Sequence, residues 1–169
     1  FVAQFAAAIF VWYCGFRVEV VTHPFGGMLE LGWLSFPLTV LWIVGITNAF
    51  NLLDNMDGLC AGVAMVASLS MAMLFNTLNP EAFTLALIVA GACGGFLIYN
   101  FNPASIFMGD CGSLVIGFSV AVLSLLHSQT AVANRLSTVC VPIMLIMVPI
   151  LDTTLVTISR TWKGRKVYL

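Results

Sequence analysis

Apolar and polar positions alternate along this chain on two different scales. Six long apolar stretches, 1–14, 34–50, 58–78, 81–99, 113–127 and 136–158, are separated by short polar interruptions. A helix that crosses a bilayer needs about 20 mainly apolar residues. The longer stretches meet that length, and the shorter ones approach it. Pro142 and Pro149 predict kinks in the last. Between the first two stretches the period changes to two. Residues 17–21 alternate, His23-Pro24-Phe25-Gly26-Gly27 supplies turn residues, and 28–32 alternate again. This predicts a short β-hairpin over 17–32, placed outside the lipid because open sheet edges are not tolerated in hydrocarbon. The expected fold is all-α and integral to a membrane: a polytopic transmembrane helical bundle with one short external β-hairpin. Residues 1–169 form a single transmembrane domain without internal repeats.

Composition sharpens this picture. Hydrophobic residues make up 61% and charged residues 8%, whereas a soluble domain carries about a quarter charged residues. Mean hydropathy is +1.07, so lipid is the expected solvent. The formal net charge of −1 gives no electrostatic case for nucleic acid. Residue 1 already lies within an apolar run and no initiator Met is present, so the chain reads as a fragment. The five cysteines are scattered without a CxxC pair, and read as small apolar residues. His23 and His127 form no metal-binding pair.

Charge fixes an expected orientation. Arg160, Lys163, Arg165 and Lys166 crowd the end of the chain, which the positive-inside bias places in the cytoplasm. Counting back through six spans makes 51–58 and 100–112 cytoplasmic, and the hairpin, 79–80 and 128–135 external. Asp54, Asp57 and Asp110 then share one face with the basic tail. Asp152 lies about 12 Å from Arg160 at 1.5 Å per residue, near that face too. As an acid within a span it is a candidate for function, or for an internal pair with Arg160 or a helix hydroxyl.

The acid-bearing stretches suggest chemistry. In "NLLDNMDGLC", Asp54 and Asp57 stand three apart among Asn48, Asn51 and Asn55, a spacing that points two side chains the same way in a helix end or tight turn. Oxygen-rich clusters of this kind suit Mg²⁺. Asp57 equally suits an N-cap for the helix that follows, and Asp54 a solvated loop. In "YNFNPASIFMGDCGSL", Asn100, Asn102 and Pro103 end a helix, and Gly109 and Gly112 bracket Asp110. A helix starting at Ser113 would offer its N-terminal amides to an anion. This reads as a metal–phosphate cradle, or as an acid capping a turn. Phe107 is either an interfacial anchor or a surface for stacking a base.

"NAFNLLDNMDGLCAGVA", "NFNPASIFMGDCGSLVIGF" and "PILDTTLVTISRTWKGR" resemble, in the same order, three sequence blocks of the polyprenyl-phosphate N-acetylhexosamine-1-phosphate transferases. The form is closer to the branch that starts teichoic acid, enterobacterial common antigen or O-antigen lipids than to the peptidoglycan branch. The resemblance implies a multi-pass enzyme of the bacterial cytoplasmic membrane with its active site on the cytoplasmic face. It would transfer a sugar-1-phosphate from a UDP-sugar to undecaprenyl phosphate and release UMP, using Mg²⁺ or Mn²⁺. The alternative substrate is that of the phospho-N-acetylmuramoyl-pentapeptide transferases. A homodimer is compatible with the resemblance. By the same resemblance Asp110 binds metal with Asn51 beside it. Asp54 and Asp57 line the nucleotide and metal pocket as catalytic acids, Asn100 and Phe107 hold the uridine, and Asn48 belongs to the substrate side.

Two departures leave the acids in place: Asn55 stands where the family has Gly, and Cys111 where it has Thr. The resemblance also implies an upstream Asp–Asp pair with the proposed base and a His-containing loop past Leu169, neither within this sequence. Residues 1–169 alone are therefore expected to lack transferase activity. A transporter is the rival class, since acids and broken helices fit one. It would place acids near mid-bilayer in a symmetric repeat, whereas these gather at one face. A non-catalytic scaffold needs no such gathering.

Overall fold

A computed structural model describes residues 1–22, 28–77 and 79–130 together with positions 147, 155, 158, 159, 161 and 162, and the side chains of these except at 20–22, 28, 29 and 127–130. Its helices are α1 (Val2–Tyr13), α2 (Ser35–Leu53), α3 (Leu59–Phe75), α4 (Pro80–Asn100) and α5 (Gly109–Thr130). A single 3₁₀ turn, Gly32–Leu34, leads into α2. The segments Gly32–Leu53, Pro80–Asn100 and Gly109–Leu126 are long and apolar enough to cross a membrane, and α1 and α3 are shorter apolar helices. Two three-residue strands, β1 (Val20–Thr22) and β2 (Met28–Glu30), pair antiparallel with Val21 opposite Leu29. The expected connecting turn, the expected last span 136–158 and Asp152 lie outside the described residues, apart from three positions of that span.

Helix boundaries follow local chemistry. Asn79 caps α4, its side chain accepting from the Ala82 N–H at 3.0 Å, with Pro80 following and Glu81 in the first turn. Gly58 is the N-cap of α3 at φ +74°, with no side-chain cap hydrogen bond. The reading of Asp57 as that cap therefore does not hold. The left-handed backbone required there suits a residue without Cβ, and a Cβ would meet Leu97 Cδ1 at 3.4 Å.

Small side chains bring the helices together. Cys60, Ala64, Ala67 and Met71 on α3, and Ala82, Ala86, Ala90 and Cys93 on α4, recur every three or four residues and are buried, which lets the two backbones approach closely. Gly117 does the same between α5 and α2, where a Cβ would lie 2.9 Å from both Phe50 Cβ and Thr47 Cα. Trp42 Nε1 donates to Ser124 Oγ (2.9 Å) across that pair. Hydroxyls inside the bundle bond back to their own helix, as Thr47 Oγ1 does to the Ile43 carbonyl (2.7 Å). Phe50, Ile43, Phe75, Met71 and Leu123 fill the centre. Leu41, Val66, Met73, Ile88, Ile98 and Val115 face outward, as expected where the surrounding solvent is hydrocarbon.

Candidate functional site

The end of α2 and the start of α5 meet, and so do the start of α3 and the end of α4. All four termini thus lie at one end of the bundle, where the acid-bearing stretches converge.

α2 stops at Leu53, with Asp54 as its C-cap. Asn51, one turn earlier, reaches across to α5. Its Nδ2 donates to Asp110 Oδ1 (3.2 Å) and to Ser113 Oγ (2.9 Å). The buried Ser113 hydroxyl also lies 3.2 Å from the Gly109 carbonyl oxygen and 3.3 Å from that of Asp110. Asp54 accepts a hydrogen bond from the Gly109 N–H. Burial pushes the Asp54 carboxyl above its ordinary value; the Gly109 bond opposes this, and the charge of Asp110 adds to it. Asn51, Asp54, Asp110 and Ser113 therefore form one polar knot around Gly109, which sits at φ +66°, a conformation glycine adopts without strain.

Asp57 belongs to a different contact. Its Oδ2 accepts from Asn102 Nδ2 (3.2 Å) and from the Ala104 N–H (3.1 Å). Asp54 and Asp57 thus hold opposite ends of the 101–109 loop. Residues 54–58 are turn and bend, not helix, so the three-residue spacing does not align them as it would on a helix.

Asn100 is only 4% exposed. Its Oδ1 accepts from the Gly58 N–H (3.0 Å) and its Nδ2 donates to the Ile106 carbonyl (2.9 Å). An amide occupied at both ends and buried braces the loop. Asn48 exchanges hydrogen bonds with Gln4 of α1 and donates to the Val44 carbonyl, so it ties two helices. Phe107, by contrast, is 78% exposed. With Leu52, Met56, Phe101 and Ile106, also exposed, it adds an apolar rim to the polar end.

Ser113 and Gln4 are absent from the expected set. Ser113 stands three residues after Asp110, the helical spacing that puts both on one face; Gln4 is the lone polar residue of the first apolar run.

Among the described residues no three His, Cys, Asp or Glu side chains gather as a metal cage. Two carboxylates, a carboxamide and a hydroxyl do gather. That donor set fits Mg²⁺, which binds through one or two carboxylates and completes its shell with water and substrate phosphates.

The sequence model of glycosyl transferase family 4 matches residues 1–128. The chain belongs to glycosyl transferase family 4. It is 44% identical over 162 residues to a probable undecaprenyl-phosphate N-acetylglucosaminyl 1-phosphate transferase of Bacillus subtilis (strain 168), covering 95% of this chain and 45% of that protein. It is 46% identical over 109 residues to a phospho-N-acetylmuramoyl-pentapeptide-transferase of Synechococcus sp. (strain JA-2-3B'a(2-13)), covering 64% of this chain and 32% of that one. A Moorella thermoacetica protein of the same description is 43% identical over 112 residues, covering 65% and 35%. The chain thus spans less than half the length of these relatives.

Proposed function

We propose that the full-length protein transfers a sugar-1-phosphate, most simply N-acetylhexosamine-1-phosphate, from a UDP-sugar to undecaprenyl phosphate and releases UMP. The single observation that carries this reading is the knot of Asn51, Asp54, Asp110 and Ser113, built from two helices at one end of an apolar bundle. Two carboxylates held beside each other at a membrane face are costly without a counter-charge. Both substrates are anionic and meet at that same level, one from lipid and one from water.

In this reading an oxygen of the lipid phosphate attacks the β-phosphorus of the UDP-sugar, and the bond from that phosphorus to the bridging oxygen breaks. The sugar-1-phosphate passes to the lipid, and UMP leaves with the electron pair. Mg²⁺, when bound, neutralises charge on the phosphates. Asp110 and Asp54 are the residues that would hold it. Asn51 fixes the Asp110 carboxylate through its side-chain N–H and keeps Ser113 in register. Asp57 and Asn100 hold the 101–109 loop in shape, so that the exposed Phe107 ring offers a stacking surface to the uracil. The basic residues after Arg160 support placing this end of the bundle in the cytoplasm and the strand pair β1–β2 outside.

The relatives fall into two named activities, so the donor sugar is read by competition. Membranes holding the complete protein are assayed with undecaprenyl phosphate and radiolabelled UDP-N-acetylglucosamine, UDP-N-acetylgalactosamine or UDP-N-acetylmuramoyl-pentapeptide, with and without EDTA. EDTA-sensitive lipid labelling from an N-acetylhexosamine donor is expected. Labelling only from the pentapeptide donor shifts the reading to the peptidoglycan branch, and no labelling from any donor refutes it.

A further inference from the structure

One side chain reaches to within a turn of the acid knot and takes no part in it. Gln4 is the one carboxamide of α1, a helix that rests lightly on α2. Of its residues only Ala8 and Val11 are buried, while Phe5, Phe10 and Tyr13 are exposed. Both ends of the Gln4 amide are used. Its Nε2 donates to Asn48 Oδ1 (3.3 Å), and its Oε1 accepts from Asn48 Nδ2 (3.0 Å). Asn48 Nδ2 also donates to the Val44 carbonyl (2.7 Å). A carbonyl only accepts, so the α2 backbone fixes which end of the Asn48 amide carries the nitrogen, and Asn48 in turn fixes the Gln4 amide. The pair lies half-buried between apolar helices, where a carboxamide left without a partner is costly. Apolar burial is non-directional, so within α1 the amide pair supplies the contact that fixes its height along α2.

The position of this pair gives it a consequence. Asn48 stands three residues before Asn51, about 4.5 Å along the axis, and residues so spaced share one side of a helix. The last turns of α2 are thus held by two neighbours. α1 grips them through Asn48, and α5 through Asn51, whose Nδ2 donates to Asp110 Oδ1 and Ser113 Oγ. Asp54 caps the same turn, so a movement of α2 relative to α5 changes the separation of Asp54 and Asp110 directly. We propose that Gln4 is a positioning residue for the acid knot: through Asn48 it fixes the last turns of α2, and with them the spacing of the two carboxylates that would hold Mg²⁺. The inference rests on the reading of the knot as a metal site.

The test is the Mg²⁺ concentration at which the Tm of the full-length protein in phospholipid nanodiscs completes half its rise, measured beside the UDP-sugar KM for lipid labelling. Gln4→Met keeps an unbranched side chain of similar length and removes the amide. It is expected to move that midpoint at least fivefold higher and to leave KM within twofold, since Asp57 and Asn100, not α1, brace the 101–109 loop. A residue that merely held α1 in place would lower the Tm and leave the midpoint unmoved. Gln4→Asn, one methylene short, should raise the midpoint as well. Combining it with Asn48→Gln restores the reach and should return the midpoint to within twofold of the wild type. Gln4→Asn and this exchange carry the test if Gln4→Met fails to fold. An unmoved midpoint in the single variants, an exchange no better than Gln4→Asn alone, or a wild type whose Tm does not respond to Mg²⁺ overturns the proposal. A midpoint that shifts as expected, in a protein that labels lipid from no donor, refutes the transferase reading and supports the positioning role.

Discussion

Replacing Asp57 by Ala removes the acceptor for both Asn102 Nδ2 and the Ala104 N–H. Hydrogen bonds to a charged group contribute about 1.5–3 kcal/mol each, so the loop that carries Phe107 loses its anchor at one end. In the complete protein we expect Asp57→Ala to raise the UDP-sugar KM by about tenfold or more with a smaller fall in kcat, and Asp57→Asn, which keeps an acceptor oxygen, to recover part of the loss. Steady-state kinetics showing an unchanged KM would remove Asp57 from the loop's support. Asp110 differs because its carboxylate belongs to the knot itself. Asp110→Asn is expected to abolish turnover, read as lipid labelling, while membrane insertion, read by protease protection, stays normal. A near-normal kcat would refute the role. That these acids come together at one end of the bundle is legible in the scarcity of other charge. Their division of labour is not, because it depends on α2 ending at Leu53, one residue before Asp54. For the same reason Ser113 is hidden. The glycines around Asp110 predict a loop, yet α5 begins at Gly109 and runs through Gly112, where a Cβ would lie 2.4 Å from Met108 Cγ.

The helices themselves are legible from apolar run length, since hydrocarbon demands that every backbone group be satisfied within the segment. α4 lies within one residue of its expected 81–99 bounds at each end. Which helices touch is not legible in run length, because the apolar faces here meet lipid as well as each other. The α2–α5 contact rests on Gly117, which receives Phe50 and the Thr47 backbone. Because α2 carries Asn51 and Asp54 and α5 carries Asp110 and Ser113, the spacing of these two helices sets the geometry of the knot. A branched side chain at 117 cannot be accommodated against backbone atoms without moving a helix. Gly117→Val is therefore expected to lower the apparent Tm of the solubilised complete protein and to reduce turnover more than tenfold, with Gly117→Ala intermediate. Equal thermal unfolding curves for the wild type and the valine variant would show that the two helices are not held together there.

At the scale of the described bundle, Asp54, Asp57 and Asp110 gather at one end, and that arrangement has an energetic consequence. Asp54 is partly buried, and that burial pushes its carboxyl upward against the Gly109 hydrogen bond, with the charge of Asp110 adding a smaller push. Their mutual repulsion works against the closing of α5 onto α2, and in the proposed reading a bound cation would offset it. A ligand that binds the folded protein and not the unfolded chain stabilises it in proportion to the logarithm of its concentration above Kd. Mg²⁺ is therefore expected to raise the Tm of the complete protein in a saturable way even without substrates, and EDTA to reverse the rise. Monovalent salt at matched ionic strength screens exposed charges only diffusely and should not reproduce it. Asp110→Asn removes one of the two opposing charges along with one ligand, so its Tm without metal should equal or exceed that of the wild type while its response to Mg²⁺ disappears. This pairing separates a metal site from a merely structural acid: a structural Asp110 would lower the metal-free Tm on substitution and leave the Mg²⁺ response intact.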